Sequence, residues 1–327
     1  MKILQTVKKI PGGLMVVPLL LGAAFNTWLP GVITIGGAGT FCSYLWKSGA
    51  MPILAVFLFC NGAQINFKQA GIPLVKGVTL TAVKFIIGAL LGIIVNKLCG
   101  LYGVLGLSPL ALIGAITNSN GGLYAALAGE YGDSTDVGAV SILSINDGPF
   151  LTMVAMGVSG IATIPIMVLV GCIAPIVVGC LLGNLDEEIR NFTAPGATML
   201  IPFFAFPLGA GLNFGQLITA GFSGILLGVI CCVLTGGAGY LCMRLIRSKH
   251  PQVGAAIGTT AGNAAATPAA LAAADPALAG LATIATAQMA ASCIVTAILT
   301  PLLVSFLDKY EKKRVAKKLE RDNKPQK

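Results

Sequence analysis

Two short polar segments interrupt apolar stretches of this sequence and carry most of its candidate chemistry. The first is Thr117-Asn118-Ser119-Asn120-Gly121-Gly122, and the second is Thr259-Thr260-Ala261-Gly262-Asn263. Backbone that leaves helical geometry at bilayer depth is tolerated only where protein or water satisfies it. Paired interruptions at corresponding places in two halves are typical of a transporter's binding site. The candidate binding residues are therefore the polar side chains in and just after the breaks: Thr117, Asn118, Ser119, Asn120, Tyr124, Thr260, Asn263 and Thr267.

A more conservative interpretation of these segments remains open. Small polar residues commonly hydrogen-bond neighbouring helices in membranes without touching a ligand. On the binding interpretation, hydroxyls and amides suit the hydroxyl groups of a polyol, and the helix halves that begin after the breaks offer unsatisfied N–H groups to a carboxylate. Asn61 and Gln64, near the end of another apolar stretch, are further candidates for a cavity lining.

Two ionisable side chains, Lys84 and Asp147, fall near the middle of predicted membrane spans. A charge there costs at least about 2.5–3.5 kcal/mol on insertion scales, so such residues usually face a cavity or a partner. Lys84 is a candidate counter-charge for an anion, or the partner of Asp147. A carboxylate balanced between burial and a nearby lysine can exchange a proton, and it can equally supply an oxygen ligand to sodium. The candidate ion-coupling residues are Asp147, its neighbour Asn146, and Gln288, which matches Asn146 in the second half.

The composition is that of a polytopic membrane protein. Of 327 residues, 56% are hydrophobic and only 10% are charged, whereas a soluble domain carries about 25% charged residues. The net charge of +9 lies largely in the basic segment 309–327 and does not indicate nucleic-acid binding. No Walker A motif is present, which argues against ATP-driven transport by this chain alone, and nothing indicates an enzyme, a cofactor or a metal site. The loop residues Glu130, Asp133 and Asp136 and the single His250 are expected to be solvated.

Ten apolar stretches are long enough to cross a bilayer as α-helices. They cover roughly residues 11–29, 48–65, 73–97, 106–130, 137–160, 165–184, 196–212, 220–246, 252–274 and 279–307, and the fourth and ninth contain the breaks. The lysines and arginines favour an orientation with both termini in the cytoplasm, because the opposite side then receives only Lys47 and Lys97.

The two halves of the chain repeat each other. The segment that begins at Gly62 matches the segment that begins at Gly209 at five of eight positions, and Pro18-x-x-x-Gly22 matches Pro175-x-x-x-Gly179, so the offsets are 147 and 157. Five spans in each half force the second half into the opposite orientation. The predicted fold is all-α, with ten transmembrane helices in two inverted five-helix repeats, 1–162 and 163–307. Broken helices 4 and 9 cross at the midplane, and a basic cytoplasmic tail, 308–327, follows.

Four stretches resemble the 2-keto-3-deoxygluconate permease family: Ile10-Pro11-Gly12-Gly13, Asn120-Gly121-Gly122-Leu123-Tyr124-Ala125, Gly183-Asn184-Leu185-Asp186 and the stretch 200–206, LIPFFAF. The resemblance covers about residues 2–310. It implies a bacterial inner-membrane symporter that takes up 2-keto-3-deoxygluconate with protons, on a fold similar to that of the bile-acid:sodium symporters. It also implies a small sugar-acid anion and the lipid bilayer as partners. In the family pattern the fifth-span carboxylate stands where this chain has Asn146, one residue before Asp147.

Two other functions remain open at the level of sequence. The first is a sodium-coupled symporter of another organic anion on the same fold. The second is a non-transporting membrane sensor or scaffold, which the paired breaks disfavour because a scaffold gains nothing from broken spans. The sequence does not indicate an oligomeric state.

Overall fold

Helices account for nearly all of the computed structural model, which describes residues 2–9, 13–66, 71–146, 148–211 and 214–322. Within these ranges the only β-type pairing is a single bridge between Val104 and Leu107. The helices of the first half are α1 (Ile3–Lys9), α2 (Gly13–Trp28), α3 (Phe41–Trp46), α4 (Ala50–Gln64), α5 (Ile72–Cys99), α6 (Pro109–Thr117), α7 (Gly121–Tyr131), α8 (Ser134–Gly138), α9 (Val140–Leu143) and α10 (Phe150–Val158).

The second half contains eight further α-helices, and short helical turns of other types occur in both halves. The α-helices are α11 (Ile166–Leu185), α12 (Glu187–Thr193), α13 (Gly196–Met199), α14 (Ile201–Gly209), α15 (Phe214–Cys231), α16 (Gly237–Leu245), α17 (Thr267–Ala274) and α18 (Ala279–Asp322). A π-helical turn, Cys232–Gly236, joins α15 to α16, and 3₁₀ turns cover Val32–Thr34, Ser144–Asn146, Pro251–Ile257, Gly262–Ala266 and Pro276–Leu278.

Five helical segments of the described chain are long and apolar enough to cross a membrane. They are Ile72–Cys99, Ile166–Leu185, Glu187–Gly209, Ala220–Leu245 and Pro276–Ala316, and two shorter apolar helices cover Val17–Trp28 and Ala50–Gln64. The predicted spans 4, 5 and 9 are each divided into short pieces, so none of them reaches this length. The described residues therefore form a helical membrane protein with several spans.

The first break separates α6 from α7, and one of its own residues, Asn120, caps the start of α7. The Asn120 side chain accepts a hydrogen bond from the backbone N–H of Leu123 (3.0 Å), which satisfies one of the free donors at the start of α7. Every residue of α6 is buried, as is every residue of the 3₁₀ turn Pro251–Ile257. The two half-helices that lead into the breaks therefore lie in the interior of the protein.

The second break is less regular than the first. Its two 3₁₀ turns, Pro251–Ile257 and Gly262–Ala266, flank the unwound residues 258–261 before α17 begins. Alanine and glycine dominate this stretch and offer few side-chain contacts that would favour one continuous helix. The backbone N–H of Asn120 donates to the Thr259 hydroxyl oxygen (2.9 Å), so the two breaks are in direct contact.

A third interruption divides the predicted fifth span. The chain passes from α9 through the 3₁₀ turn Ser144–Asn146 and becomes α-helical again only at Phe150. Gly148 has a φ of +81°, which favours glycine, and Pro149 lacks the N–H that a continuous helix would use. Asp147 lies in this interruption and outside the described residues. The corresponding helix of the second half, α18, is continuous.

Close glycine contacts join α2 to α14 and α4 to α11. At each glycine an added Cβ would fall well inside van der Waals contact with a backbone carbonyl oxygen of the facing helix. The four contacts are Gly22 with Phe206, Gly209 with Leu19, Gly179 with Phe59 and Gly62 with Ile176. The sequence offsets of 147 and 157 convert the first two contacts into the last two. The two helix pairs are therefore built in the same way, backbone against backbone.

We expect Gly62→Ala and Gly209→Ala each to destabilise the protein by about 1–3 kcal/mol, because the new methyl group forces the facing helices apart. The effects should be similar in size, since the two glycines make equivalent contacts. Gly171→Ala is the matched control, because a Cβ at this α11 position meets nothing within 4 Å. Thermal unfolding in detergent measures the difference, and equal melting temperatures for all three variants would contradict the packing argument.

The helix α18 continues through residue 308, where the predicted tail begins. Asp308 and Glu311 are buried, with 7% and 8% of their surface exposed. The Asp308 carboxylate accepts from the Gln252 side-chain amide (3.3 Å), and Glu311 accepts from the Tyr240 hydroxyl. The first turns beyond residue 307 are thus packed against α16 and the second break's leading turn.

Candidate functional site

A cavity of about 730 Å³ lies where the two breaks meet. Its lining combines residues of α4, α13 and α14 with residues of both breaks, α7 and α18. Ligand pockets commonly enclose about 300–1,000 Å³, so this volume suits a small molecule. Its lining residues with polar side chains other than cysteine are Lys8, Lys9, Asn61, Gln64, Ser119, Asn120, Thr198 and Asn263.

Ser119 and Asn120 bring the first break to the cavity surface. Ser119 forms two hydrogen bonds with Asn146, a buried residue that is 1% exposed. The Ser119 backbone N–H donates to Asn146 Oδ1 (3.4 Å), and Asn146 Nδ2 donates to the Ser119 hydroxyl oxygen (3.1 Å). Asn146 therefore links the interruption in the fifth span directly to a lining residue.

Thr117 and Asn118 lie deeper in the first break and bond to protein groups. The Thr117 hydroxyl donates to the Ile113 carbonyl (2.8 Å) and lies 2.7 Å from the Thr152 hydroxyl. Asn118 Nδ2 donates to the Gly114 carbonyl (3.0 Å) and to Thr152 Oγ1 (3.1 Å). Asn118 Oδ1 is buried and has no hydrogen-bond partner among the described residues. These two side chains fix the first break to α10.

Thr260 makes a comparable attachment in the second break. Its hydroxyl lies 2.7 Å from the Ser292 hydroxyl, and its backbone N–H donates to Thr296 Oγ1 (3.0 Å). Both partners belong to α18, as Thr152 belongs to α10 in the first half. Hydroxyl pairs thus attach the first break to α10 and the second break to α18.

Asn263 is the cavity residue whose side-chain amide is buried without a described hydrogen-bond partner. It lines the cavity, is 4% exposed, and neither Nδ2 nor Oδ1 has a hydrogen-bond partner in the described part of the chain. A buried amide without partners costs about 1–3 kcal/mol. Thr267, at the start of α17, also has a buried hydroxyl with no described partner, but it lies outside the lining. Asn263 therefore brings a buried amide without a described hydrogen-bond partner to the cavity lining.

Lys84 is fully buried and lies outside the cavity lining. Its Nζ donates to the carbonyl oxygen of Ile257 (2.8 Å) and to that of Thr259. These carbonyls stand where the 3₁₀ turn before the second break ends, and a cation there complements the negative end of the helix. The hydroxyl of Thr300 donates to the next carbonyl, that of Gly258 (2.6 Å). Lys84 therefore stabilises the unwound backbone of the second break.

Tyr124 is fully buried and points away from the cavity. Its hydroxyl donates to the backbone carbonyl of Asp136 (3.1 Å), and it is absent from the lining although its neighbours on both sides belong to it. Gln288 also lies outside the lining: its Nε2 donates to the Gly106 carbonyl (2.6 Å) and to the Ser223 hydroxyl (2.8 Å). Both side chains hold helices in place.

The loop acids after α7 are not simply solvated, and that expectation is wrong for Asp136. Asp136 is fully buried and accepts a hydrogen bond from the ammonium of Lys76. The Thr135 hydroxyl donates to Asp133 (2.6 Å) and lowers its pKa to about 2, with the nearby Lys76 ammonium adding to the effect. One ligand atom each from Asp133, Asp136 and His250 would be close enough to hold a metal ion. Because the Lys76 ammonium already serves the carboxylates, we interpret this group as a salt-bridge cluster that anchors the end of α7.

Three groups of lining residues were not predicted from the sequence. Phe57 and Phe204 form an edge-to-face pair with ring centroids 5.2 Å apart, and they are related by the repeat offset of 147, which is the signal that would have found them. Thr198 lies in α13, in a stretch with no polar pattern. Lys8 and Lys9 precede the first apolar stretch, where lysines are usually read only as an orientation signal.

A cavity with several amide and hydroxyl groups, between interrupted helices that meet inside a helical membrane protein, is the arrangement of a transport protein. The chain belongs to the 2-keto-3-deoxygluconate permease family, which it matches over residues 4–313. It is 49% identical to 2-keto-3-deoxygluconate permease 1 of Salmonella typhimurium over 316 residues, 97% of this chain and 98% of that protein. It is 42% identical to the 2-keto-3-deoxygluconate permease of Bacillus subtilis over 319 residues, 96% of each chain. The chain is therefore a permease and not an enzyme.

Proposed function

We propose that this protein is a proton-coupled symporter that takes up 2-keto-3-deoxygluconate, or a close sugar acid, across a bacterial inner membrane. The observation that carries the proposal is the cavity at the meeting point of the two breaks, with the unused amide of Asn263 in its lining. The names of the relatives supply the substrate class. The substrate is a monoanion with several hydroxyl groups, which suits a lining of amides and hydroxyls.

The proposed architecture is the ten-helix inverted repeat with both termini in the cytoplasm. In this proposal the five long segments, the two shorter apolar helices and the three divided spans would each cross the membrane once, which makes ten crossings. The glycine contacts related by the sequence offsets support the repeat. So do two basic caps: Lys47 Nζ donates to the Ala210 carbonyl (2.7 Å), and Arg190 Nε donates to the Ala63 carbonyl (3.3 Å). The two acceptors, Ala63 and Ala210, are again 147 residues apart.

Within this site we propose that Ser119, Asn120 and Asn263 contact the substrate directly. Gly121 and Gly122 also line the cavity, so the N-terminus of α7 faces it with its unpaired N–H groups and partial positive charge. This end of α7 is suited to the carboxylate, while the amides accept and donate to the hydroxyls. Thr117, Asn118 and Thr260 would hold the two breaks at the distance that the substrate requires.

We propose Asp147 as the coupling group, acting next to Asn146. Asn146 contacts Ser119, so a change of charge at Asp147 would alter the electrostatic field at the cavity through only two intervening residues.

In proteoliposomes we expect accumulation of 2-keto-3-deoxygluconate when a pH gradient is imposed, and no accumulation with a sodium gradient alone. Asp147→Asn should abolish gradient-driven accumulation while leaving exchange of labelled for unlabelled substrate, because the neutral amide no longer exchanges a proton. Accumulation by Asp147→Asn equal to the wild type would exclude Asp147 from coupling.

A sodium-coupled symporter of an organic anion is the second candidate. It is favoured by Asn118 Oδ1, a buried oxygen without a described partner next to the Thr117 and Thr152 hydroxyls, because hard cations take oxygen ligands. It predicts that sodium, and not choline, raises the melting temperature of the purified protein and drives uptake. A sensor or scaffold, by contrast, would bind the sugar acid and show no flux.

A further inference from the structure

Lys8 and Lys9 are the only charged side chains among the described residues that line the cavity. They end α1, the short helix before the first span, and both side chains are exposed. Because the remaining lining residues are uncharged and mostly deeper in the protein, the two lysines mark the end at which the cavity opens. The centre of the cavity, by contrast, contains amides, hydroxyls and apolar groups.

The two ammonium groups are available to a ligand. Neither forms a salt bridge with a carboxylate of the described chain, in contrast to Lys76 and Lys312, whose charges are compensated. Lys84, the lysine at the second break, already donates its hydrogen bonds to backbone carbonyls. Among the described residues of the cavity lining, the positive charge that an anionic substrate meets therefore comes from Lys8 and Lys9.

We propose that Lys8 and Lys9 form a vestibule at the cavity mouth that concentrates the carboxylate substrate on the face of the membrane that carries the N-terminus. This inference rests on the proposed function, because it requires an anionic substrate. The vestibule acts on one face only, since the lysines lie at one end of the cavity. It acts on encounter and release and leaves the contacts at the two breaks unchanged.

The expected effect follows from Coulomb attraction in water. Two unit charges about 10 Å from an anion raise its local concentration about fourfold at low ionic strength. The attraction should disappear in high salt, because the Debye length falls from about 30 Å at 0.01 M to about 3 Å at 1 M. The vestibule therefore has a signature that a packing role for α1 would lack.

The test is the double variant Lys8→Gln/Lys9→Gln, with Lys2→Gln/Lys249→Gln as its control. Lys2 and Lys249 are exposed and do not line the cavity, and the control removes the same number of positive charges. The KM for labelled 2-keto-3-deoxygluconate is measured from both faces, with whole cells and with inverted membrane vesicles, at about 0.01 M and about 1 M ionic strength. We expect the KM of Lys8→Gln/Lys9→Gln to rise about fourfold on the N-terminal face at low salt only, with an unchanged maximal rate.

Every result other than the expected one counts against either the vestibule or the proposed function. An unchanged KM on both faces, an equal rise on both faces, or an equal rise in the control removes the vestibule. A loss of inserted protein with an unchanged KM also removes it and indicates that the lysines contact anionic lipid headgroups instead. If the wild type neither binds nor transports 2-keto-3-deoxygluconate, the proposed function itself fails, whereas wild-type transport with an unaltered double variant sinks the vestibule alone.

Discussion

Replacing Asn263 by alanine is expected to weaken substrate binding about 10- to 100-fold without lowering the stability of the empty protein. The two amide atoms are buried in the cavity lining and bond to nothing in the described structure. A bound sugar acid would supply the missing partners, so its affinity includes those hydrogen bonds. Without substrate the same amide is a cost, and Asn263→Ala should leave the melting temperature unchanged or raise it.

The measurement pairs substrate affinity with thermal unfolding, both in detergent. Asn184→Ala is the matched control, because Asn184 Nδ2 donates to the carbonyls of Ile65 (2.7 Å) and Cys180 (2.8 Å) and lies outside the lining. For Asn184→Ala we expect the reverse pattern, a lower melting temperature with unchanged affinity. Unaltered affinity in Asn263→Ala would show that the substrate does not bond to Asn263.

Replacing Lys84 by methionine is expected to have the largest effect on the fold. The carbonyls of Ile257 and Thr259 would be left buried without their donor, and we expect a loss of about 2–4 kcal/mol in the free energy of unfolding. Transport should fall more than about tenfold, because the second break loses the geometry that positions Asn263. Lys84→Arg should not restore it, since the planar guanidinium does not fit a site shaped around a fully buried ammonium.

Thermal unfolding together with the KM distinguishes this role from that of a substrate counter-charge. A counter-charge would raise the KM and leave the melting temperature alone, and that pattern in Lys84→Met would contradict the capping role. Lys97→Met is the control, because Lys97 is an exposed lysine in the last turn of the same helix. It should change neither quantity.

The sequence predicts where helices are interrupted better than it predicts what the interruptions contact. The helix end at Thr117 and the restart at Gly121 follow from a run of amides, hydroxyls and glycines that gives no reason to remain helical. The second break extends further than its polar residues. Gly254, Gly258 and Gly262 each weaken a helix by about 1 kcal/mol relative to alanine, and the alanines between them add few side-chain contacts. The division of the fifth span at Gly148 and Pro149 has a comparable local cause.

The roles of individual side chains depended on contacts that no local pattern encodes. The partners of Lys84 are backbone carbonyls 173 and 175 residues away, and a backbone acceptor leaves no mark in the sequence. In the sequence Tyr124 lies between two lining residues. Because each residue of a helix is rotated by about 100° from the last, its side chain points away from the cavity and reaches the backbone carbonyl of Asp136. Lys8 and Lys9 reach the cavity only because α1 lies next to its opening.

The glycine contacts of α2 with α14 and of α4 with α11 also decide which parts of the protein can move. Helices whose backbones touch cannot slide or tilt against each other without a clash, so each pair behaves as a rigid body. The contact of Phe57 with Phe204 joins α4 to α14 and thereby ties the two pairs together. We therefore expect the cavity to open to the two sides of the membrane in turn by a displacement of the helices that carry the breaks past this four-helix frame, with the pair of aromatic rings at the surface of contact.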